Sequence, residues 1–534
     1  MSIGCRKDAD NLMLSNGVIY TVNDAFEIAD AMVISGGSIV AVGNATKLRE
    51  KYTISREIDL QGKPVYPGFI DPHGHFFGYA MNLRQADLTG TTSVEDVIAR
   101  LKKHQEAYPA AWILGRGWDQ NDWENKKFPD KYMLDEAFPD TPVYLTRIDG
   151  HAAWVNSAAL SLTDIKTGQT VKGGEILTDN RGYTGIFLDN AMALVEKHIP
   201  VTGHGDQFLA IQAAEKSCLA VGLTMVGDAG LEKEMVLLMD SLQQTGQMKL
   251  RIYAMLNPNR ENLEYFMSKG HYRTDRLSVR SVKLFADGAL GSRGALLISP
   301  YSDDPNNRGL QVSSTDFLVN TCKRAYENGY QVNTHCIGDS AVRLMLDIYS
   351  RFLPENNDLR WRIEHSQVIQ PDDFPLFAVY GIIPSVQATH ATSDMYWAGD
   401  RLGQERLKTA YAYKTLLAQN GWLANGSDFP VESINPVYGF YAAVARKDLS
   451  GKPPEGFMKG EALSREEALR AMTIWAAKAC FEENKKGSLE QGKLADFVVL
   501  DQDIMNAEEK DIPKTRVLAT WMDGIPVFQI MKND

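Results

Sequence analysis

The sequence lacks the features that mark several classes of protein. Its 534 residues include five cysteines, and no two of them form a CxxC pair, so neither a disulfide framework nor a zinc ribbon is indicated. No apolar run approaches the roughly 18 residues of a membrane-spanning helix. Acidic residues outnumber basic ones, 68 to 56, and the net charge of -12 argues against nucleic acid or an anionic membrane as a partner. What remains is an ordinary globular composition, 44% hydrophobic and 23% charged.

The first residues leave the cellular location open. Ile3-Gly4-Cys5 has the small-residue-then-cysteine pattern of a bacterial lipoprotein cleavage site, but no apolar stretch precedes it. The expected locations are therefore the cytoplasm or, if a signal peptide preceded Cys5, the bacterial envelope as a lipoprotein.

Both ends of the chain are rich in short β-runs. Near the N-terminus such runs are separated by Asn16-Gly17 and Gly36-Gly37, which is typical of β-hairpins. Residues 496–530 contain further β-runs, and a sheet of few strands needs partners to be stable. We therefore predict one β-sandwich domain composed of residues 8–64 and 481–534.

Between these two parts, β-runs alternate with helix-like stretches. About eight runs qualify as strands, and they cover residues 65–70, 224–228, 251–256, 281–286, 331–335, 362–365, 382–387 and 422–428. This alternation predicts an α/β fold, a (β/α)8 TIM-like barrel over residues 65–480. Residues 76–200 contain their own β-runs and are predicted to be an insertion on the first βα loop, over the catalytic face.

Two histidines follow the first run. His73 and His75 are one residue apart, so their imidazoles lie on the same side of the chain. Gly74 between them lets the backbone approach whatever they bind. Imidazole is the commonest neutral metal ligand, and we expect a divalent metal here.

Four polar residues occupy similar positions in later runs. Lys283 lies in the fourth, His335 and His365 end the fifth and sixth, and Asp428 ends the eighth. Taken singly, they could be hydrogen-bonded core histidines, a lysine paired with a carboxylate, or an aspartate in a turn. Because strand ends meet at one face of a barrel, together they indicate a single metal site.

Longer strings around these residues resemble the amidohydrolase superfamily of metal-dependent hydrolases. The closest likeness is to its amidohydrolase family 3 branch, which includes N-substituted formamide deformylases. The strings that carry the resemblance are YPGFIDPHGH (66–75), GRGWD (115–119), DGHAAWVN (149–156), VKLFADGALGSR (282–293), NTHCIGD (333–339), RIEHS (362–366), GSDFP (426–430) and GKLADFV (492–498). The match covers nearly the whole chain and is specific for the family, but it is weak on the substrate.

The resemblance implies a binuclear centre, usually of zinc. The histidine pair of the first run and Asp428 would hold the buried metal, and His335 and His365 the more exposed one. Lys283 would bridge both as an N-carboxylated lysine, because a protonated amine cannot act as a ligand. A single metal on the histidine pair and Asp428 is the alternative.

The chemistry of such centres implies hydrolysis of an amide-type C–N bond in a small molecule. A metal-bound water would be the nucleophile, and Asp428 would take its proton and pass it to the leaving nitrogen. His390, after the seventh run, is a candidate donor to the developing oxyanion, with a loop histidine as the alternative. Six further residues are expected to bind substrate: Trp118, Asp119, His151, Trp154, Asn156 and Arg293. Packing is the alternative for the tryptophans, and an ion pair for the arginine.

Two other functions are alternatives to amide-type hydrolysis. A deaminase of the superfamily typically carries a glutamate three residues after the strand-five histidine and lacks the strand-four lysine, whereas this chain has Gly338 and Lys283 there. A catalytically inactive relative usually loses metal ligands, and all six are present. Amide-type hydrolysis is therefore preferred. The substrate is left open, as is the oligomeric state, for which a homodimer is one option.

Overall fold

The computed structural model describes residues 10–166, 168–200, 203–355 and 357–530. Cys5, on which the lipoprotein prediction depends, lies outside these residues. Within them no helix combines the length and the apolar character that crossing a membrane would take.

Eight parallel strands form a barrel that is closed except between its first and last strands, as predicted from the alternating pattern. They are β1 (Phe69–Gly74), β2 (Leu223–Leu231), β3 (Arg251–Leu256), β4 (Leu277–Phe285), β5 (Gln331–Cys336), β6 (Arg362–His365), β7 (Ile383–Val386) and β8 (Ala424–Asn425). A short strand, Tyr272–Arg273, pairs with β4. Backbone hydrogen bonds join the ends of β1 and β8: the Asp428 N–H donates to the His73 carbonyl over 2.8 Å, and the His75 N–H to that of Phe429 over 2.8 Å.

A helix follows each strand and covers the barrel. These helices are α1 (His204–Ala220), α2 (Lys233–Gln244), α3 (Arg260–Met267), α4 (Thr315–Glu327), α5 (Asp339–Ser350), α6 (Phe374–Val379), α7 (Tyr413–Asn420) and α8 (Pro436–Ala445). Additional helices are Ala388–Asp394, Ala398–Leu407, Arg465–Ala471 and Ile474–Ala479, with short 3-10 turns at Gln120–Asp122, Pro371–Asp373, Lys459–Glu461 and Glu509–Lys514. In α4 the Ser314 side chain caps the start by accepting from the Phe317 N–H, and Leu318 and Cys322 are buried on one face.

The two ends of the chain combine in a β domain of two sheets. The four-stranded sheet contains Leu12–Ser15, Ala31–Ser35, Ser38–Gly43 and Arg56–Asp59, with the helix Ala45–Lys51 beside it. The six-stranded sheet contains Val18–Tyr20, Ile28–Ala29, Pro64–Pro67, Phe497–Leu500, Val517–Met522 and Ile525–Gln529. Leu14 and Ile34 of the first sheet share a core with Phe497 and Trp521 of the second. The predicted extra β domain, built from both ends, is confirmed.

The predicted first run, residues 65–70, is divided between two sheets. Its first half lies in Pro64–Pro67, antiparallel to Phe497–Leu500 in the β domain. Its second half begins β1, which extends to Gly74. Both halves are fully buried, so a continuous apolar run is compatible with either sheet, and the sequence alone does not show the boundary.

Between β1 and α1 the chain forms a separate α/β segment, which we call the inserted segment (residues 76–200). Its six-stranded sheet consists of Ala86–Asp87, Ile113–Trp118, Val143–Arg147, Ala152–Val155, Gly174–Asp179 and Gly182–Asp189. Its helices are Phe76–Asn82, Val94–Ala107, Lys131–Ala137, Ser157–Ser161 and Ala193–Glu196. The segment has its own apolar core, and its loops lie against the ends of the barrel strands.

Candidate metal centre

Side chains from the first, fourth, sixth and eighth strands meet at one end of the barrel. His73 is fully buried, with its Nδ1 2.6 Å from Glu364 Oε2 and its Nε2 2.9 Å from Lys283 Nζ. His75 Nε2 lies 3.0 Å from Asp428 Oδ1, and His73 Nε2 lies 3.5 Å from the same oxygen. The ligand atoms of the two histidines and Asp428 are all within 4.8 Å of one another.

The protonation of these rings shows what the cluster can bind. His75 Nδ1 lies 3.0 Å from the Ala229 carbonyl oxygen and must donate to it, which leaves Nε2 of the neutral ring with a free lone pair. His73 Nδ1 faces the Glu364 carboxylate in the same way. Asp428 Oδ1 is buried and has no hydrogen bond, although both imidazoles are close to it. Imidazole nitrogens that converge on a buried carboxylate oxygen in this way are a donor set that fits a divalent cation.

A second group of donors adjoins the first. The ligand atoms of His365, His390 and Asp428 also lie within 4.8 Å of one another. His365 Nδ1 is 2.7 Å from Gln387 Oε1, while His390 Nε2 is buried without a hydrogen bond, 3.7 Å from Asp428 Oδ2. The His335 ring lies 4.5 Å from that of His365, but its Nε2 is 3.3 Å from a backbone carbonyl. The geometry therefore offers His390, expected as an oxyanion donor, as a further possible ligand.

The backbone at two of these positions is unusual. His365 has φ 72° and Asp428 has φ 61°, in the left-handed region that residues other than glycine rarely adopt. Such conformations concentrate at functional sites, where surrounding contacts hold them in place. Here they turn each side chain off the end of its strand and into the cluster.

Burial sets the charge states in the cluster. It lowers the pKa of His73 to about 4, and those of His335 and His365 well below the usual value. Burial also lowers the pKa of Lys283, against the opposing charges of carboxylates nearby. Burial alone would raise the pKa of Asp428, but the neighbouring imidazoles, His73 above all, outweigh burial and hold that pKa well below its usual range. Neutral imidazoles and an ionised carboxylate are the forms that ligate metals.

Two buried charges behind the cluster orient His73. Glu364 lies between His73 and Arg362, whose Nε is 3.1 Å from Glu364 Oε1. Burial acts to raise the pKa of Glu364, but Arg362 and His73 lower it to about 2. This glutamate is not among the residues predicted from the sequence. The available signal was two opposite charges two residues apart in a central strand, which face the same interior and need partners there.

A cavity of about 670 Å³ opens over the cluster, between the barrel and the inserted segment. It is lined by His335, His365, His390 and Asp428, and also by Asp119 and His151 from the group of predicted substrate-binding residues. His151 Nδ1 lies 2.6 Å from Asp189 Oδ1, and its ring is 4.9 Å from that of His335. Burial acts to lower the pKa of His151, but the hydrogen bond to Asp189 and its charge raise it.

The two tryptophans predicted to bind substrate are core residues instead. Trp118 and Trp154 are fully buried inside the inserted segment, with ring centroids 6.1 Å apart. Their indole N–H groups donate to the carbonyl oxygens of Leu145 over 2.9 Å and Asp130 over 3.0 Å. Neither ring lines the cavity, so that prediction is corrected: these side chains stabilise the segment by packing.

Asn156 and Arg293 are also corrected. The Asn156 side chain caps the helix Ser157–Ser161 by accepting from the Ala159 N–H over 3.0 Å, and it is fully buried. Arg293 pairs with Asp303 over 2.8 Å and does not line the cavity. Both have the structural roles that such residue types commonly take in turns and at surfaces.

Comparison with known proteins shows which family this chain resembles in sequence and structure. A model described as the amidohydrolase family matches residues 56–528. Over 97% of this chain, the sequence is 34% identical to the Arabidopsis thaliana protein LONG AFTER FAR-RED 3, covering 91% of that protein. It is 28% identical to an N-substituted formamide deformylase from Arthrobacter pascens, over 96% of this chain and 98% of that one. An uncharacterized metal-dependent hydrolase from Pyrococcus horikoshii superimposes with a TM-score of 0.77 at 29% identity, covering 94% of this chain and 99% of the other.

Proposed function

Because this chain belongs to the amidohydrolase family, we propose that it is a metal-dependent hydrolase that cleaves an amide-type C–N bond in a small molecule. The observation that carries the proposal is the convergence of the ligand atoms of His73, His75 and Asp428, of which Asp428 also lines the cavity. The name of the Arthrobacter relative, a formamide deformylase, supports the choice of bond. A cavity of about 670 Å³ suits a small molecule rather than a polymer.

We place two zinc ions in the site. His73, His75 and Asp428 would hold the first, and His335 and His365 the second, with His390 as an alternative ligand of the second. When bound, such ions polarise a carbonyl oxygen and make water a nucleophile at neutral pH.

Lys283 would bridge the two ions as an N-carboxylated lysine. The residue is 1% exposed and forms no ion pair with any described carboxylate; its Nζ lies 2.9 Å from the ring nitrogen of His73 and 5.1 Å from the centroid of the Phe285 ring. A buried ammonium group without an anionic partner is costly, and burial lowers the Lys283 pKa toward the neutral amine. The neutral amine can add carbon dioxide with loss of one proton. The product is a carbamate, which is an anionic ligand, whereas the protonated lysine is a cation that cannot ligate a metal.

The side chains around the reacting bond would divide the proton transfers between them. Asp428 takes a proton from the attacking water and gives it to the leaving nitrogen, as a carboxylate in reach of both can do. His390, with an unpaired Nε2 that faces Asp428 over 3.7 Å, is placed to donate to the developing oxyanion. Residues of the inserted segment, among them Asp119 and His151, line the cavity beside these groups.

The test is a screen of N-formyl, N-acyl-amino-acid, simple amide and cyclic-imide libraries with zinc-loaded protein, alongside the variant Lys283→Ala. We expect two zinc ions per chain in the wild type, and in the variant fewer ions and a loss of most activity. Short carboxylic acids added to the variant should restore part of both, because they can replace the missing bridge.

The matched control is Lys486→Met, which removes another buried lysine. Lys486 pairs with Glu482 over 2.9 Å and contacts none of the site histidines, so zinc content should stay at two. Full activity and two zinc ions in Lys283→Ala would refute the bridge. Absence of hydrolysis across all the libraries by the fully loaded wild type would refute the amide-type activity.

A further inference from the structure

The wall of the cavity contains an arginine that no carboxylate neutralises. Arg116 lies in the strand Ile113–Trp118 of the inserted segment and lines the cavity. Its Nη2 donates to the Ile148 carbonyl oxygen over 2.9 Å, its Nε is buried without a hydrogen bond, and it forms no ion pair with any carboxylate among the residues described. Arg116 is not among the residues predicted from the sequence, although it lies between Gly115 and Gly117 in the string 115–119.

The other arginine of the cavity wall is in a different state. Arg147 is buried and forms ion pairs with both Asp119 and Asp149. Its charge is therefore balanced within the protein, while that of Arg116 is not. A half-buried guanidinium that has no counter-ion can pair with a ligand that brings the anion.

The position of Arg116 relative to the metal centre limits what that ligand can be. Arg116 and Asp428 line the same cavity, and the charges of Asp149 and Asp428 act to raise the pKa of Arg116 while burial lowers it. Asp149 is already committed to Arg147. Beside the guanidinium, Gly150 has φ 77° and presents no side chain; a Cβ there would lie 3.5 Å and 3.6 Å from the two Nη atoms of Arg116, an ordinary contact distance.

We propose that Arg116 binds a carboxylate of the substrate, and that the substrates are amides carrying a carboxylate a few bonds from the scissile C–N bond, such as N-acyl amino acids. The assignment of the scissile bond rests on the proposed hydrolase function. A guanidinium has five N–H donors in a planar fork, and the one hydrogen bond to Ile148 leaves enough of them for a carboxylate. Bidentate, charge-assisted pairing of this kind explains why an arginine, not a lysine, occupies the wall.

The test uses zinc-loaded protein and substrate pairs that differ only in the carboxylate, such as hippurate and N-ethylbenzamide, extended over a set of N-acyl amino acids and their neutral counterparts. Arg116→Gln should lower kcat/KM for the acids by about 10- to 100-fold, mostly through KM, and leave the neutral amides unchanged. Arg116→Lys should recover part of the loss. Arg181→Gln, at an exposed arginine of the same segment, should leave kcat/KM unchanged for both the acids and the neutral amides.

Binding without turnover separates this inference from the proposed activity. Calorimetry on the same protein would compare 3-benzoylpropionate, a ketone that cannot be hydrolysed, with its carboxamide. The wild type should bind the acid at least about 10-fold more tightly, and Arg116→Gln should bind the two alike. A preference that depends on Arg116 without any hydrolysis would refute the proposed function and support this inference. Hydrolysis with no preference for acids, or with a preference unchanged in Arg116→Gln, would overturn the inference and leave the hydrolase standing.

Discussion

Substitution of Glu364 by glutamine should weaken zinc binding although Glu364 is not itself a proposed ligand. The carboxylate accepts from His73 Nδ1 over 2.6 Å and pairs with Arg362 Nε over 3.1 Å. Glutamine has the same shape but no charge, so the charge-assisted hydrogen bond from His73 weakens and the ion pair with Arg362 is lost. The contact that directs His73 Nε2 toward the metal position is then weaker.

The size of the effect follows from these contacts. Loss of the outer partner of a metal-binding histidine typically lowers metal affinity by about 10- to 100-fold, or about 1.4–2.8 kcal/mol. Arg362, fully buried, also loses its carboxylate, which costs about 3–5 kcal/mol of folding stability. The pKa of Glu364 is held at about 2 against an ordinary 4.5, so its stabilisation is present above pH 4.5 and is lost as the pH falls toward 2. The stability difference between the two proteins should shrink over that window.

The assay is zinc competition against a chromophoric chelator, with melting curves recorded on the same samples. Glu482→Gln is the matched control: Glu482 is also a buried carboxylate between two cations, Arg273 and Lys486, and it contacts no histidine. The control should lose stability and keep wild-type zinc affinity. If Glu364→Gln bound zinc as tightly as the wild type, the claim that this carboxylate orients His73 would be wrong.

Three further substitutions probe other parts of the fold by urea or thermal unfolding. Burial raises the pKa of Asp228 to about 7 from 3.8, so the carboxyl contributes stability below about pH 4 that is lost as the pH rises toward 7. Asp228→Asn should therefore be more stable than the wild type at about pH 8, by on the order of 4 kcal/mol. An equal or lower stability of the variant at that pH would contradict the raised pKa. Trp154→Ala should cost about 3–5 kcal/mol, because the ring is fully buried, and an unchanged unfolding midpoint would argue against a core role. Asp503 accepts hydrogen bonds from the hydroxyls of Tyr20 and Tyr66 over 2.8 Å each. Asp503→Ala should lower the free energy of unfolding by about 1–3 kcal/mol for each hydroxyl left without its acceptor. An unchanged free energy of unfolding would mean that this contact does not help to join the two ends of the chain.

Strands were predictable where an apolar run is bounded by polar or turn residues on both sides. β3 and β6 begin and end at the predicted residues, 251–256 and 362–365. β8 is far shorter than the predicted 422–428, since only Ala424–Asn425 pairs with β7. A Cβ on Gly426 would come within 2.7 Å of Asp71, so the chain there is packed tightly against β1 and leaves the ladder before it reaches Asp428. Such a departure depends on a contact between distant parts of the chain.

In the candidate site, too, some features follow from the local sequence and others depend on contacts between distant residues. The six predicted ligands lie together because strand ends of a barrel converge, and that convergence follows from strand order alone. Their role as ligands stays a prediction. Arg116 and Glu364 were missed because their importance depends on which charges stand opposite them. The substrate-binding role predicted for the tryptophans was wrong for another reason, since a string that resembles a family does not show which side of a sheet faces a cavity.

The order of the strands along the chain also determines when the site can be assembled. His73 and His75 are synthesised early, whereas Asp428, whose carboxylate belongs to both donor groups, emerges near the end of the barrel. A nascent or truncated chain that stops after β7 would hold most of the proposed ligands yet lack the residue common to both groups. Full metal occupancy would therefore report that the chain is complete and the barrel closed, and zinc retention could serve as a direct measure of correct folding in the cell.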